Sequence, residues 1–534
     1  MKLLKAVLSH IQSIWPFRTT RRYTLLFILG LASPICFASD DLFAGAQGQY
    51  GVGLHVVQLV DHSRAYANKV DMVTGKAVQG GRARPIQALV WYPTVERQNK
   101  GIVYNDYLRA SATTEKFSRT DAEVTQAVDA YLLGEYPDLD KNVLKQPMLA
   151  KRDAPPATGT FPVIVYAPGA SGLASDNADL CEYLASHGYL VIASASMGSN
   201  NRSMTVDLAG AETQARDISF LLGYASTLPQ ADVQHVAAMG YSVGGLANVL
   251  AAAKDDRISA LVSLDGSVRY FPAIVQKAGY ATPERLALPM LYLGSRPYTA
   301  ELMNRVKQVP TYSLMNEMKF SDLYNVTMNT MDHPAFQSQY LRLASDQRFG
   351  EYSRTESLLA HRWMGRYVLA FLDAYLRSDA TALKFMNNTP AKNDVPAHLL
   401  YGDVHHSEGA PPTLATMASR FASQHYRDLA GIYLDMSKRE PTFKPDERSL
   451  ISWGEQFLDA NRAPEAVEII LQTTTLYPDS PRAFFYLGMA YDKNNDTARS
   501  IKAYQRVLAF WPDDADTKQN IQRLQAKAKS PVNK

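Results

Sequence analysis

Gly240-Tyr241-Ser242-Val243-Gly244 fits the pattern G-x-S-x-G, the sharp turn that lifts a serine nucleophile off the end of a strand. The flanking residues fit as well. His235-Val236-Ala237-Ala238-Met239 reads as a short apolar strand, and Gly245 to Ala253 reads as a helix. A nucleophile in such a turn sits in strained backbone with strand and helix packed close around it, and Gly240 and Gly244 leave the room this requires. A plain Gly-rich turn with a solvated serine would share the letters. The strand before and the helix after favour a nucleophile at Ser242.

A serine hydroxyl needs a base, and the base needs an acid to hold its tautomer. On folds built around this turn the chain order is serine, acid, histidine. The next strand is Ile258 to Leu264, and Asp265-Gly266 ends it. A carboxylate at that end shares the rim with the nucleophile, where sheets of this kind bind ligands. The strand after it, Leu288 to Leu293, is followed by Gly294-Ser295-Arg296-Pro297-Tyr298, with no carboxylate before Glu301. Asp265 is therefore the candidate acid, although an Asp before Gly also suits a turn cap. Of the 11 histidines, only His333 both follows the acid and falls in a loop at the end of a β-rich run, Asn325 to Met331. It is the candidate general base.

An oxyanion needs two preorganised backbone N–H groups. Val243, directly after the nucleophile, offers one. The loop Pro168-Gly169-Ala170-Ser171-Gly172 follows the strand Phe161 to Ala167 and offers the other, most directly from Ala170. A simple Gly turn is the competing reading of this loop.

The run Phe161 to Ser196, with Leu184-Ala185-Ser186-His187-Gly188-Tyr189-Leu190-Val191 inside it, resembles the platelet-activating-factor acetylhydrolase and dienelactone-hydrolase-like branch of α/β-hydrolases. The resemblance continues through Gly240 to Gly245 and the Leu264-Asp265 strand end. It also takes in His333-Pro334-Ala335-Phe336, which repeats that branch's His-x-x-Phe loop. It spans roughly residues 51–379. It implies Ser242, Asp265 and His333 as the triad, with Ala170 and Val243 as oxyanion donors. Pro168 departs from the histidine usual before the oxyanion glycine, which bears on substrate preference more than on catalysis. No metal or cofactor is implied.

The chain has 534 residues, too many for one core, so two or more domains are expected. Residues 1–38 are basic and then apolar, ending Ser33-Pro34-Ile35-Cys36-Phe37-Ala38, which reads as a secretory signal peptide and a periplasmic or secreted protein. Its apolar core, Leu25 to Ala32, is too short to span a bilayer, and no other long apolar run follows. Residues 1–38 hold five of the 55 basic residues and none of the 52 acidic ones, which leaves the remainder at −2. That balance offers no basic footprint for nucleic acid. Cys181 is the single cysteine past residue 38, so no intramolecular disulfide is expected.

Strands alternating with helices imply a doubly wound, mostly parallel sheet over residues 39–389. Asn105 to Leu149 interrupts it with a helical insertion, either a cap over the site or a peripheral helix pair. Residues 390–412 read as a linker without apolar period. In residues 413–534, Gly454 and Gly488 lie 34 apart, as do Pro478 and Pro512, the period of tetratricopeptide repeats. A small all-α domain is expected there, with one helix over Phe421 to Lys438 covering one end and another over Asp514 to Ala526 capping the other. Such helix pairs present a protein or peptide surface, or serve as a structural appendage. Asp492 to Asp496 resembles a calcium loop but lacks the acid at its twelfth position, Ala503, and reads as a helix–helix turn. The function expected is an exported serine hydrolase acting on a carboxylic ester. A peptidase or amidase on the same scaffold is the nearer alternative, and a non-catalytic scaffold that binds a partner through its repeats is the remoter one.

Overall fold

A computed structural model describes residues 42–529 except 44, 71–74, 78–79, 98–100, 298–310 and 312. The expected signal segment, residues 1–38, and Glu301 lie outside the described residues. The chain divides into two compact units, residues 1–408 and 409–534.

The first unit opens with the antiparallel pair β1 (Gly51–Ala65) and β2 (Ala83–Thr94). The insertion follows as α1 (Tyr104–Ser111), α2 (Asp121–Glu135) and a 3-10 turn, Lys141–Lys145, and the short β3 (Ala150–Arg152) closes it. Then come β4 (Phe161–Ala167), α3 (Ala178–Ser186), β5 (Leu190–Ser194), α4 (Leu208–Ala225), β6 (Ala231–Tyr241), α5 (Val243–Ala252), β7 (Ala260–Leu264), α6 (Pro272–Ala278) and β8 (Met290–Ser295). The unit ends with α7 (Ser313–Glu317), β9 (Leu323–Met328), α8 (Ser338–Leu343), α9 (Arg354–Leu376), α10 (Ala380–Asn387) and β10 (Leu400–His405). The ten strands lie in the order β10-β9-β8-β7-β6-β4-β5-β2-β1-β3. From β5 through β9 all neighbours are parallel.

The central strands are buried on both faces, so they read as continuous apolar runs rather than alternating ones. Along β4, Val163 and Val165 enter one apolar cluster while Ile164 and Tyr166 enter the other, as the two-residue period of a strand requires. Helices α4 and α5 supply the first cluster, and α3 and α9 supply the second. Register brings the ends of these strands to a common rim. Ala167 pairs with Gly240, Tyr241 with Leu264, Leu264 with Leu293, and Ser295 with Met328.

The insertion is tied to α3 by buried polar groups. Tyr107 donates to Glu182, as do the N–H groups of Leu149 and Ala150 at the insertion's far end. Burial pushes the Glu182 carboxyl up to about 8, against these donors. Beside it, Arg342 of α8 holds Asp179 through Nε and Nη2 at 2.6–3.0 Å, with both side chains 2% exposed. Asp179→Ala leaves that guanidinium buried without its partner and should destabilise this unit by about 3–5 kcal/mol in urea unfolding. A loss below about 1 kcal/mol would mean that water takes over the pairing, as at a surface bridge.

Residues 390–412 differ from the linker expected of them. They begin with a 3-10 turn, Pro390–Asn393, and β10 then pairs antiparallel with β9 along the sheet edge. The strand escapes sequence reading because most of its side chains are exposed. An edge strand held by backbone bonds needs little apolar pattern. The boundary between the units falls at Glu408 and Gly409.

The second unit is all helical: α11 (Leu414–Ser423), α12 (Leu429–Arg439), α13 (Glu447–Asp459), α14 (Ala463–Leu476), α15 (Pro481–Lys493), α16 (Thr497–Phe510) and α17 (Ala515–Lys529). The pairs α13–α14 and α15–α16 start 34 residues apart. Gly454 of α13 lies against Ile470 of α14, and Gly488 of α15 lies against Tyr504 of α16, so each pair closes over the same small residue. The helix expected over Phe421 to Lys438 is broken in two. His425, Tyr426 and Asp428 take positive φ between α11 and α12, and Asp428 then caps α12 at the N–H of Gly431. Among the described residues no helix is long and apolar enough to cross a membrane.

Candidate active site

Ser242 stands between β6 and α5 with φ 54° and ψ −123°, a strained conformation for a residue with a side chain. Neighbouring backbone over-determines it. Its N–H donates to the carbonyl of Leu264, and its carbonyl accepts from the N–H groups of Gly245 and Ser267. A side chain at Gly244 would collide with the carbonyl of Ala167, and one at Gly240 would collide with the Gly244 backbone. Strand β4, the turn and helix α5 can therefore meet only because both positions lack Cβ atoms.

His333 comes to this serine from three strands along the sheet, in the 3-10 turn His333–Phe336 after β9. Its Nε2 lies 3.0 Å from Ser242 Oγ, and its Nδ1 lies 2.6 Å from Asp265 Oδ2. The imidazole can thus accept the serine proton on one nitrogen while donating to the carboxylate from the other. The Tyr241 ring stacks against it, with centroids 4.9 Å apart.

Asp265 follows β7 and is fully buried. Burial alone would push its carboxyl up. The hydrogen bond and charge of His333, together with the Ser295 N–H, override this and hold it below the ordinary carboxylate range. Oδ1 accepts from the Ser295 N–H at 2.9 Å and from the Tyr270 hydroxyl at 3.2 Å. Strand β8, which bears no acid in its described continuation to Pro297, thus contributes a backbone donor to the acid of its neighbour.

Gly169 of the loop after β4 packs on the turn, where an added Cβ would sit 3.3 Å from that of Ser242. The Gly169 N–H is taken by the carboxylate of Asp176. Among the described residues no protein group accepts from the N–H of Ala170 or of Val243. Ser171 takes φ 57°, its carbonyl and that of Gly172 accept from Arg202 Nη2, and its Oγ accepts from the Met204 N–H. The local signals near Ser242 did not single out Asp176, Arg202 or Tyr270. Asp176 lies in a loop with no motif, and its role becomes visible only when distant segments meet.

The sheet order, the turn after β6 and the loop after β4 together define the architecture. The fold is that of an α/β-hydrolase. A family model described as chlorophyllase matches residues 123–275, which include the loop after β4, Ser242 and Asp265 but stop short of His333. Among solved structures, the chain is similar to a ferulic acid esterase from Streptomyces cinnamoneus, at 19% identity and a TM-score of 0.44, over 63% of this chain and 93% of that one. None of the curated proteins compared matches. Among the described residues no group of three or more His, Cys, Asp or Glu side chains is arranged to hold a metal ion.

Proposed function

We propose that this α/β-hydrolase is an exported serine esterase that cleaves a carboxylic ester through an acyl-enzyme. The observation that carries the reading is the pair of contacts on one imidazole, 3.0 Å to Ser242 Oγ and 2.6 Å to Asp265 Oδ2. Ser242 Oγ attacks the ester carbonyl while His333 Nε2 takes its proton. Asp265 keeps the proton of the imidazole on Nδ1 and stabilises the imidazolium that forms. The N–H groups of Ala170 and Val243 hold the oxyanion of the tetrahedral intermediate. His333 returns its proton to the departing alcohol, and water then releases the acid by the same steps in reverse.

The match of residues 123–275 to the chlorophyllase model supports an ester as substrate. An amide needs the same groups plus a better-placed proton for its poorer leaving group. The decisive experiment is labelling with a fluorophosphonate probe, followed by a series of p-nitrophenyl esters of rising acyl length. Labelling at Ser242 and turnover of the esters is the expected result. A folded protein that neither labels nor turns over would point instead to a scaffold acting through its helical repeats.

The basic and apolar segment at residues 1–38 supports export to the periplasm or beyond. The helix pairs at 34-residue spacing are read as tetratricopeptide repeats and as a surface for a protein or peptide partner. Deleting residues 409–534 should spare hydrolysis of a small soluble ester, because Ser242, Asp265 and His333 all belong to the first unit. Circular dichroism and kcat on a short ester check this. A truncated protein that keeps its fold and loses turnover would make the repeats part of the catalytic unit.

A further inference from the structure

The buried acids of this unit are held in different ways: Asp179 and Asp217 by guanidiniums, Asp265 by His333, and Glu182 by uncharged donors. Asp179 holds Arg342, and Asp217 accepts from Arg84 at 2.6 and 2.7 Å. Asp176 is 1% exposed and, among the described residues, has no cation within ion-pair distance. Burial pushes its carboxyl up to about 7. The groups that hydrogen-bond this carboxylate are all uncharged, and the Arg202 charge assists it from beyond ion-pair distance. Oδ1 accepts from the Tyr166 hydroxyl at 2.5 Å, Oδ2 accepts from Gln337 Nε2 at 3.0 Å, and the Gly169 N–H donates to the same carboxylate. Its own carbonyl accepts from the Gln339 N–H at 2.9 Å. Next to it, Asn177 donates to Tyr166 and accepts from the Ser338 N–H.

These donors come from two segments that sequence keeps far apart. Gly169 precedes Ala170 in the loop after β4. Gln337 follows directly on the turn that carries His333. We propose that Asp176 is a positioning residue that locks the oxyanion loop to the histidine loop, so that the Ala170 N–H and the His333 imidazole keep a fixed geometry about Ser242. The proposal rests on the catalytic reading above. The rest of the loop is already pinned: Gln214 Nε2 holds the Pro168 carbonyl at 2.8 Å, and Arg202 holds those of Ser171 and Gly172. The Asp176 carboxylate carries the connection across the site, accepting from Gly169 of this loop and from Gln337 beside the histidine turn. Losing it leaves substrate binding in place and displaces the groups that meet the transition state, which lowers kcat rather than raising KM.

Asp176→Asn keeps the size and one acceptor but sets an N–H2 group against Gln337 or Gly169. In the full-length protein, kcat on a p-nitrophenyl ester should fall about 10- to 100-fold with KM changed less than about 2-fold. The affinity for an alkyl boronic acid, which forms a tetrahedral adduct on the serine, should fall by the same factor as kcat. Gln337→Leu removes only the bond to the histidine loop and should show the same split, more weakly. It carries the test if Asp176→Asn does not fold. Unchanged kcat in a folded variant overturns the proposal, as does a loss confined to KM or a boronate affinity that stays at the wild-type value. Wild-type protein in the same series reports on the catalytic reading by itself. If the wild type neither labels with fluorophosphonate nor turns over ester, that reading fails and the clamp falls with it. If the wild type is active and both variants match it, only the clamp is overturned.

Discussion

Ser242→Ala should abolish ester hydrolysis, with turnover lower by about 10⁴–10⁶, and leave the fold standing. The change removes one hydroxyl, whose side-chain partner is His333 Nε2. The Cβ stays, so the strained backbone at φ 54° keeps the same steric demands and the contacts that hold it. The backbone donors of Ala170 and Val243 are untouched, so a small residual rate over water is expected from them alone. Initial rates on a p-nitrophenyl ester, alongside a thermal melt, check both halves of this expectation. Near-normal turnover would sink the assignment of Ser242. Loss of the melt together with activity would leave the variant uninformative about chemistry, and loss of fluorophosphonate labelling would then be read in the milder Ser242→Cys.

Asp265→Asn is the second large effect, with turnover reduced by about 10⁴. The reason is visible in the donors around this group. His333 Nδ1, the Ser295 N–H and the Tyr270 hydroxyl all point hydrogens at a carboxylate with no exposed surface. An amide must turn its own N–H2 toward one of them. If it faces His333, the imidazole takes the tautomer with its proton on Nε2, and the serine loses its acceptor. Glu301, the first acid after the next strand, lies outside the described residues, and Glu301→Gln is expected to change turnover little. Opposite results for the two variants would move the acid to that later position. A kcat measurement on each, at one pH and one ester concentration well above KM, is enough to separate them.

Much of this could be read along the chain because the signals are local. The turn around Ser242 needs a strand, two glycines and a helix in sequence, and all of them lie within residues 235–253. Asp265 and His333 were reachable for the same reason: Asp265 directly follows β7, His333 lies in the loop after β9, and strands of a parallel sheet end at one rim. The 34-residue spacing of α13–α14 and α15–α16 was equally plain, since a repeat is periodicity written out twice. Where local signal was thin, the reading failed. Strand β10 is an exposed edge held by backbone pairing to β9, so its side chains carry almost no pattern. The helix expected over Phe421 to Lys438 breaks at His425, Tyr426 and Asp428, residues that enter left-handed backbone without any glycine or proline to announce it.

The sequence by itself determined the class of sheet, the position of the turn that presents Ser242, and the order in which acid and histidine follow. These depend on residue type within a few positions of one another. Only the tertiary structure decided that one imidazole spans Ser242 and Asp265, that Ser295 and Tyr270 serve the acid, and that Asp176 joins Gly169 to Gln337. The segments that meet at Asp176 are separated by about 160 positions. No local propensity can encode such a meeting: a buried carboxylate is tolerated there only because the packed sheet brings its donors together before water can be its partner.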